Sequence, residues 1–240
     1  KGLLYEGKKV LLYCPRCETP VSNFEVAMDN SYQDIKEETL TVKFKLLKND
    51  KFPKNTYLLA WTTTPWTLPA NIALAVGEKI EYELINEGKN ICIVAKERAK
   101  KYFKNKKTQK SFLGRELVGL KYEPLYEVVK DNDKAYSILP ADFVSTDEGT
   151  GIVHTAVVYG EDDYNLGLKH DLPTAPLLDE RGHFIKSAPE IIAGKYFKQA
   201  DKIIISDLEK RKLILKKQNL VHSYPFCWRC STELYYNAIP

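Results

Sequence analysis

Two Cys-x-x-Cys pairs stand near opposite ends of this chain, Cys14 and Cys17 in "CPRC" and Cys227 and Cys230 in "CWRC". A CxxC turn aims two thiolates at one metal ion, and two such turns complete a tetrahedral four-sulfur site. Nearly the whole sequence lies between the pairs, so a shared ion requires the two ends of the fold to meet. Domains commonly meet this condition, and an insertion must, because both of its ends join the host. The pattern favours a structural Zn2+ over a disulfide framework, since nothing marks the chain as secreted. The alternative is four reduced thiols with no ion. Cys92, alone in "NICIVA", reads as a small core residue.

The 240 residues are 44% hydrophobic and 28% charged, enough for a core that needs no cross-links. With 36 basic and 32 acidic residues the formal charge is +4, so global charge names no partner. No apolar run approaches the roughly 18 residues of a membrane span. The start, "KGLLYEGKKVLLY", is no secretory signal, and the single methionine, Met28, is internal. The expectation is a cytoplasmic, monomeric fragment of a longer polypeptide, with no membrane contact.

From residue 38, "ETLTVKFKLL" alternates, placing Leu40, Val42, Phe44 and Leu46 on one face of a half-buried strand. "TYLLAW" reads as a strand, and "EYELI" with "NICIVA" as a hairpin closed by "NEGK". "AKERAKKYFKNKK" predicts a short basic helix within Lys96 to Lys110. That stretch is a solvated face, or a contact for a phosphate backbone. "EDDYNLGLKHDL" predicts a helix with acids in its first turn. "QADKIIISDLEKRKLI" predicts a helix with Ala200, Ile204 and Leu208 on one stripe beside Ile203. Many short strands without regular βαβ order argue for a β-rich α+β fold with a curled or barrel-like sheet and peripheral helices. The expected division is a central domain over 31–219, with 1–30 and 220–240 forming a zinc-knuckle region that joins the termini.

Two further stretches carry potential chemistry. In "WTTTPWTLPAN", Trp61, Thr62, Thr63 and Thr64 run into Pro65, then Trp66, Thr67 and a second proline before Asn71. Threonine favours strands and proline ends them, so this is a strand breaking into a rigid turn. Its hydroxyls either satisfy local backbone groups or face a ligand. In "DEGTGIVHTAVVYGEDDY", Gly149 and Gly151 permit a tight turn or a close approach to a ligand, and His154 follows on a strand. Asp163 comes nine residues after His154, near a helix start. Taken alone, His154 is a packed core residue or a site residue, and Asp162 and Asp163 are helix-start acids or ligands. No serine or cysteine sits in a nucleophile-elbow context, so any hydrolysis would orient water without a covalent intermediate.

Together, "WTTTPWTLPAN", "EGTGIVHTA…GEDDY" and "CWRC…YYNAIP", flanked by "CPRC", closely resemble the editing insertion of isoleucyl-tRNA synthetases over essentially the whole chain. Valyl and leucyl relatives typically carry arginine, proline and an acid in the threonine turn, where this chain has Thr64, Pro65 and Trp66. The ATP-binding HIGH and KMSKS motifs are absent, so the resemblance implies no amino-acid activation and no ATP. It implies a barrel-like editing core that hydrolyses misattached valine from the 3′ end of the isoleucine tRNA. The partners implied are that tRNA and the rest of the synthetase. A pocket separates side chains differing by one methylene by only 1–3 kcal/mol, and isoleucine against valine is the standing example of that limit.

By the same resemblance, Trp61, Thr62, Thr63, Thr64, Thr67 and Asn71 line the editing pocket. The threonines hold the terminal adenosine and help to position the attacking water. His154 gauges side-chain size, with general-base action as the alternative, and Asp163 pairs with the substrate's α-ammonium. Thr63, Thr64, His154 and Asp163 form the expected catalytic set. One departure stands out: relatives usually carry proline after "HTA", and this chain has Val157, Val158 and Tyr159. Two other readings compete, a tRNA-binding zinc module with a decayed site and a valyl-type domain acting on threonyl-tRNA. Intact His154, Asp163 and threonines argue against the first, and Trp66 against the second.

Overall fold

The computed structural model describes residues 7–27, 31–104 and 107–240. Met28 and residues 105–106 of the basic stretch therefore lie outside the described residues. In chain order the elements begin with β1 (Lys9–Cys14), β2 (Thr19–Val21), helix α1 (Asn23–Val26), β3 (Tyr32–Lys45) and β4 (Thr56–Thr62). A 3₁₀ turn at Pro65–Ala70 leads to β5 (Ala73–Val76), β6 (Glu81–Glu87), β7 (Asn90–Ala95), α2 (Lys96–Tyr102) and β8 (Thr108–Leu113). Then come β9 (Ser137–Pro140), β10 (Ile152–Thr155), α3 (Glu161–Lys169), α4 (Phe197–Lys210), β11 (Ile214–Pro225) and β12 (Tyr235–Ile239).

A six-stranded sheet in the order β11-β3-β4-β7-β6-β8 carries the fold. β3 begins earlier than its alternation suggested, because β11 pairs along it from Ile214 to Pro225, beyond the alternating stretch. Leu40, Val42, Phe44 and Leu46 are all buried on the expected face. The predicted hairpin is β6 and β7, turned at Gly88 with φ +61°. β7 runs parallel to β4, a pairing no local pattern announces. A second sheet, β10-β5-β9, leans against the first: Ala95 N–H donates to Thr150 O at 2.9 Å, and the Thr150 hydroxyl donates to Leu59 O at 2.6 Å. Among the described strands both sheets are open, so the fold is α+β and strand-rich as expected, without barrel closure.

The third sheet, β12-β1-β2, brings the two ends of the chain together, with Lys9 opposite Ile239 and Tyr13 opposite Tyr235. Helix α4 buries Phe197, Ala200, Ile204, Ile205 and Leu208 against the core. Each large aliphatic or aromatic side chain removed from water there contributes about 1.5–3 kcal/mol.

Gly151 is constrained by its backbone and by its surroundings at once. Its φ is +77°, and a Cβ there would stand 2.4 Å from Cβ of Ala95. The close approach anticipated from "EGTG" is thus between β7 and the turn before β10, within the protein. Gly151→Ala should cost roughly 2 kcal/mol or more, from left-handed strain and overpacking together, and lower the midpoint of urea unfolding accordingly. An unchanged midpoint would contradict this packing.

Candidate active site

β4 delivers the threonines. Pro65 opens the 3₁₀ turn without needing a backbone donor, and the chain bends sharply after Thr64. Trp66 swings inward, edge-on to Tyr159 at 5.0 Å and Phe197 at 5.1 Å, and anchors the turn in the core. The two indoles therefore differ in role, because Trp61 lines the cavity beside the turn.

The hydroxyls form a row. Thr62 Oγ1 accepts from Thr64 N–H at 3.0 Å and lies 3.3 Å from Thr64 Oγ1, which lies 3.2 Å from Thr67 Oγ1. Thr67 Oγ1 is 2.9 Å from Nε2 of His154. His154 reaches this place because β10 pairs with β5 directly after the turn, His154 opposite Leu74. Burial pushes its pKa down to about 4, so the ring is neutral near pH 7.

Asp163 enters from the first turn of α3. Its Oδ2 accepts the Ala156 N–H at 3.0 Å. Burial pushes its pKa up to about 7, against that hydrogen bond and with help from neighbouring Asp162. A pocket wall that disfavours this carboxylate's charge is suited to a ligand that brings a cation.

Trp61, Thr62, Thr63, Thr64, Thr67, His154 and Asp163 line one cavity of about 300 Å³. Asn71 does not line it. It lies behind His154, with its Nδ2 donating to Ala73 O at 2.9 Å. Val153, Ala156 and Tyr159 complete the wall; Val153 and Ala156 stand beside His154 in "VHTAVVY", and Tyr159 belongs to the loop that departs from the usual proline. The loop that departs from the usual proline is firmly held. The Tyr159 hydroxyl accepts the N–H groups of Leu177 and Leu178 at 2.9 and 3.1 Å, and Val158 O accepts from Ala238 at 2.8 Å.

A larger groove, about 670 Å³, lies at Lys79, Glu81, Lys96, Glu97 and Thr146. Four of its polar groups are paired, Lys96 with Glu81 at 2.9 Å and Thr146 with Glu97, while Lys79 and Lys100 line it as well. Within the basic stretch Lys110 pairs with Glu116 and Arg98 turns inward to donate to Gly149 O at 3.0 Å, whereas Lys100, Lys101, Lys104 and Lys107 are exposed. Gly149, for its part, packs against the Trp61 ring.

Ligand atoms of Cys14, Cys17, Cys227 and Cys230 all lie within 4.8 Å of one another, with Cys14 and Cys17 Sγ each 3.5 Å from Cys230 Sγ. Zn–S bonds of about 2.3 Å in a tetrahedron place sulfurs about 3.8 Å apart, so the four residues fit a zinc ion. Cys92 is buried elsewhere, beside Leu59 and Val94.

The family model for class I tRNA synthetases (I, L, M and V) matches residues 1–217. The chain belongs to this family. Among its relatives, the isoleucine–tRNA ligase of Clostridium novyi is 44% identical over 237 residues, covering 98% of this chain and 22% of that enzyme. Isoleucine–tRNA ligase 2 of Bacillus anthracis is 42% identical over 239 residues, covering 99% of this chain and 22% of the relative. The chain thus spans about a fifth of the length of these synthetases. Among solved structures, GlLeuRS-CP1 superposes with a TM-score of 0.59 at 17% identity, covering 79% of this chain and all of that one. The editing domain of the P. knowlesi cytosolic leucyl-tRNA synthetase gives 0.55 at 14% identity, covering 84% of this chain and all of the other. This segment of a class I synthetase therefore has the editing-domain fold. No helix among the described residues is long and apolar enough to cross a membrane.

Proposed function

We propose that this segment is the proofreading site of an isoleucine-specific synthetase, hydrolysing valine from the 3′-terminal adenosine of tRNA(Ile). The observation that carries the reading is a single cavity with a buried carboxylate, Asp163, facing a row of threonine hydroxyls beside the neutral ring of His154. Asp163 binds the α-ammonium of the aminoacyl group. Thr63 and Thr64 hold the terminal ribose and a water molecule, while Trp61 and Thr62 bound the opening. The water oxygen attacks the ester carbonyl, the tetrahedral intermediate expels the ribose oxygen, and bulk water supplies and removes the protons. The ester is already activated, so positioning and oxyanion stabilisation supply most of the rate.

His154 acts by shape. Both its nitrogens face protein groups, Thr67 and Asn71, which supports a steric role over that of a base. Structural Zn2+ on Cys14, Cys17, Cys227 and Cys230 would tie a knuckle of 1–30 and 220–240 to the editing domain of 31–219, with β11 running through both. The setting is cytoplasmic, the partners are the tRNA 3′ end and the rest of the synthetase, and the segment itself is monomeric and uses no ATP.

The test is deacylation of tRNA(Ile) charged with valine or with isoleucine. Valine should be released at least about 10-fold faster, within the range one methylene allows. His154→Ala should let isoleucine be cleaved and collapse that ratio. Equal release of both by the parent protein, or of neither, removes the proofreading role from this segment. An unchanged ratio in the variant removes the gauge.

A further inference from the structure

The polar row of the pocket continues behind its wall. Inward of His154 it reaches Asn71 and Tyr122, both buried and neither lining the cavity. Asn71 can stand only one way round. Its amide nitrogen faces Ala73 O at 2.9 Å, a carbonyl that accepts and never donates. Its amide oxygen therefore takes the Tyr122 hydroxyl proton, at 2.6 Å. The other amide hydrogen is left for Nδ1 of His154, 3.4 Å away. A ring nitrogen facing a donor carries the lone pair, so the neutral imidazole holds its proton on Nε2.

From there the row continues through the threonines. Nε2–H donates to Thr67 Oγ1, whose own hydrogen goes to Thr64 O at 2.8 Å. Thr64 Oγ1 lies 3.2 Å from Thr67 Oγ1 and 3.3 Å from Thr62 Oγ1, and either oxygen of each pair can donate.

We propose that Tyr122 is a positioning residue for this site: together with Ala73 O it holds the Asn71 amide, and through that amide the tautomer of His154, so that Thr67 accepts from Nε2–H and turns its own hydrogen to Thr64 O. The consequence for hydrolysis rests on the proofreading reading, whereas the tautomer is a property of the free protein. With Nδ1 covered and Nε2 protonated, His154 has no lone pair to offer a water.

Long-range 1H–15N correlation spectra of the histidine-labelled 240-residue protein test this directly, with the His154 signals assigned by their loss in His154→Ala. The expected pattern near pH 7 is protonated Nε2 and bare Nδ1. Tyr122→Phe should populate both tautomers and slow deacylation on the order of 10-fold, through turnover more than KM. Asn71→Asp should move the proton to Nδ1, because a carboxylate accepts where the amide donated. A parent spectrum with Nδ1 protonated overturns the proposal, as does an unchanged pattern in Asn71→Asp. If Tyr122→Phe fails to fold, those two measurements still decide. If the spectra behave as expected but the parent releases no aminoacyl group, the relay stands and the proofreading reading falls.

Discussion

Asp163→Asn should cut release of valine about 100-fold while leaving the protein folded, and more stable than its parent at pH 8. The rate loss follows from a missing charge-assisted contact to the substrate's ammonium, worth about 1.5–3 kcal/mol. The gain in stability follows from the free protein. Asparagine keeps an oxygen for the Ala156 N–H, the bond that Asp163 makes at 3.0 Å. What it removes is a carboxyl whose pKa burial pushes up from 3.8 to about 7. A carboxyl with a raised folded pKa holds its proton more tightly when folded than unfolded. Stability therefore falls as pH rises from about 4 to about 7, and the full cost is present above that. One side of the group opens to the cavity, so about 2 kcal/mol is the scale to expect. Burial also pushes Asp201 of α4 up to about 7, so the parent's whole pH profile mixes two groups. The difference between parent and Asp163→Asn isolates one. Activity should move oppositely, rising through the titration of Asp163 in the parent and staying flat in the variant. A parent-like rate in Asp163→Asn would show that no ammonium is held there.

How much of this was legible beforehand depends on whether a residue's partners are local. Leu40 to Leu46 and the hairpin of β6 and β7 show themselves because alternation and a turn at Gly88 are short-range signals. β5 gives no such signal. Its "ALAV" is uniformly apolar because it is covered on both faces, and its partners lie at 137–140 and 152–155. The site shows the same division. The threonines, His154 and Asp163 belong to contiguous motifs and meet in one cavity. Asn71 belongs to the same motif but faces inward, because its amide is matched by Ala73 O and by a tyrosine 51 positions away. Likewise Trp61 and Trp66 look alike in the sequence. Only the packing of Phe197 and Tyr159 makes the second an anchor. Hydrogen bonds and ring contacts between distant segments leave no period to read.

Metal removal should reach the pocket through the ring contacts that link Tyr13, Tyr235 and Trp66. Emission analysis is expected to find about one zinc per chain, and chelation or Cys227→Ser should remove it. The buried cluster around the four cysteines is small, with Leu12, Val21, Val26 and Leu234 as its apolar members. Four such side chains supply about 6–12 kcal/mol, whereas ordering each residue of the knuckle costs about 1.5 kcal/mol. The cross-link must offset the rest. Structural zinc in zinc-finger peptides contributes about 10–16 kcal/mol of apparent binding energy. Some order should survive metal loss here, because β1 and β12 still pair and Tyr13 and Tyr235 belong to the main core. The loss should be about 3 kcal/mol or more, seen as a lower unfolding midpoint. It should also perturb the near-UV dichroism of Trp66, whose ring is 5.7 Å from Tyr235, and so loosen the threonine turn. Deacylation should slow although no cysteine lines the cavity. Cys92→Ser, buried apart from the cluster, should leave the zinc content unchanged. A zinc-free protein with the parent's midpoint and dichroism would mean that strand pairing alone closes the ends. The knuckle would then be a passenger of the fold, and the turn at Trp66 would owe its rigidity to α4.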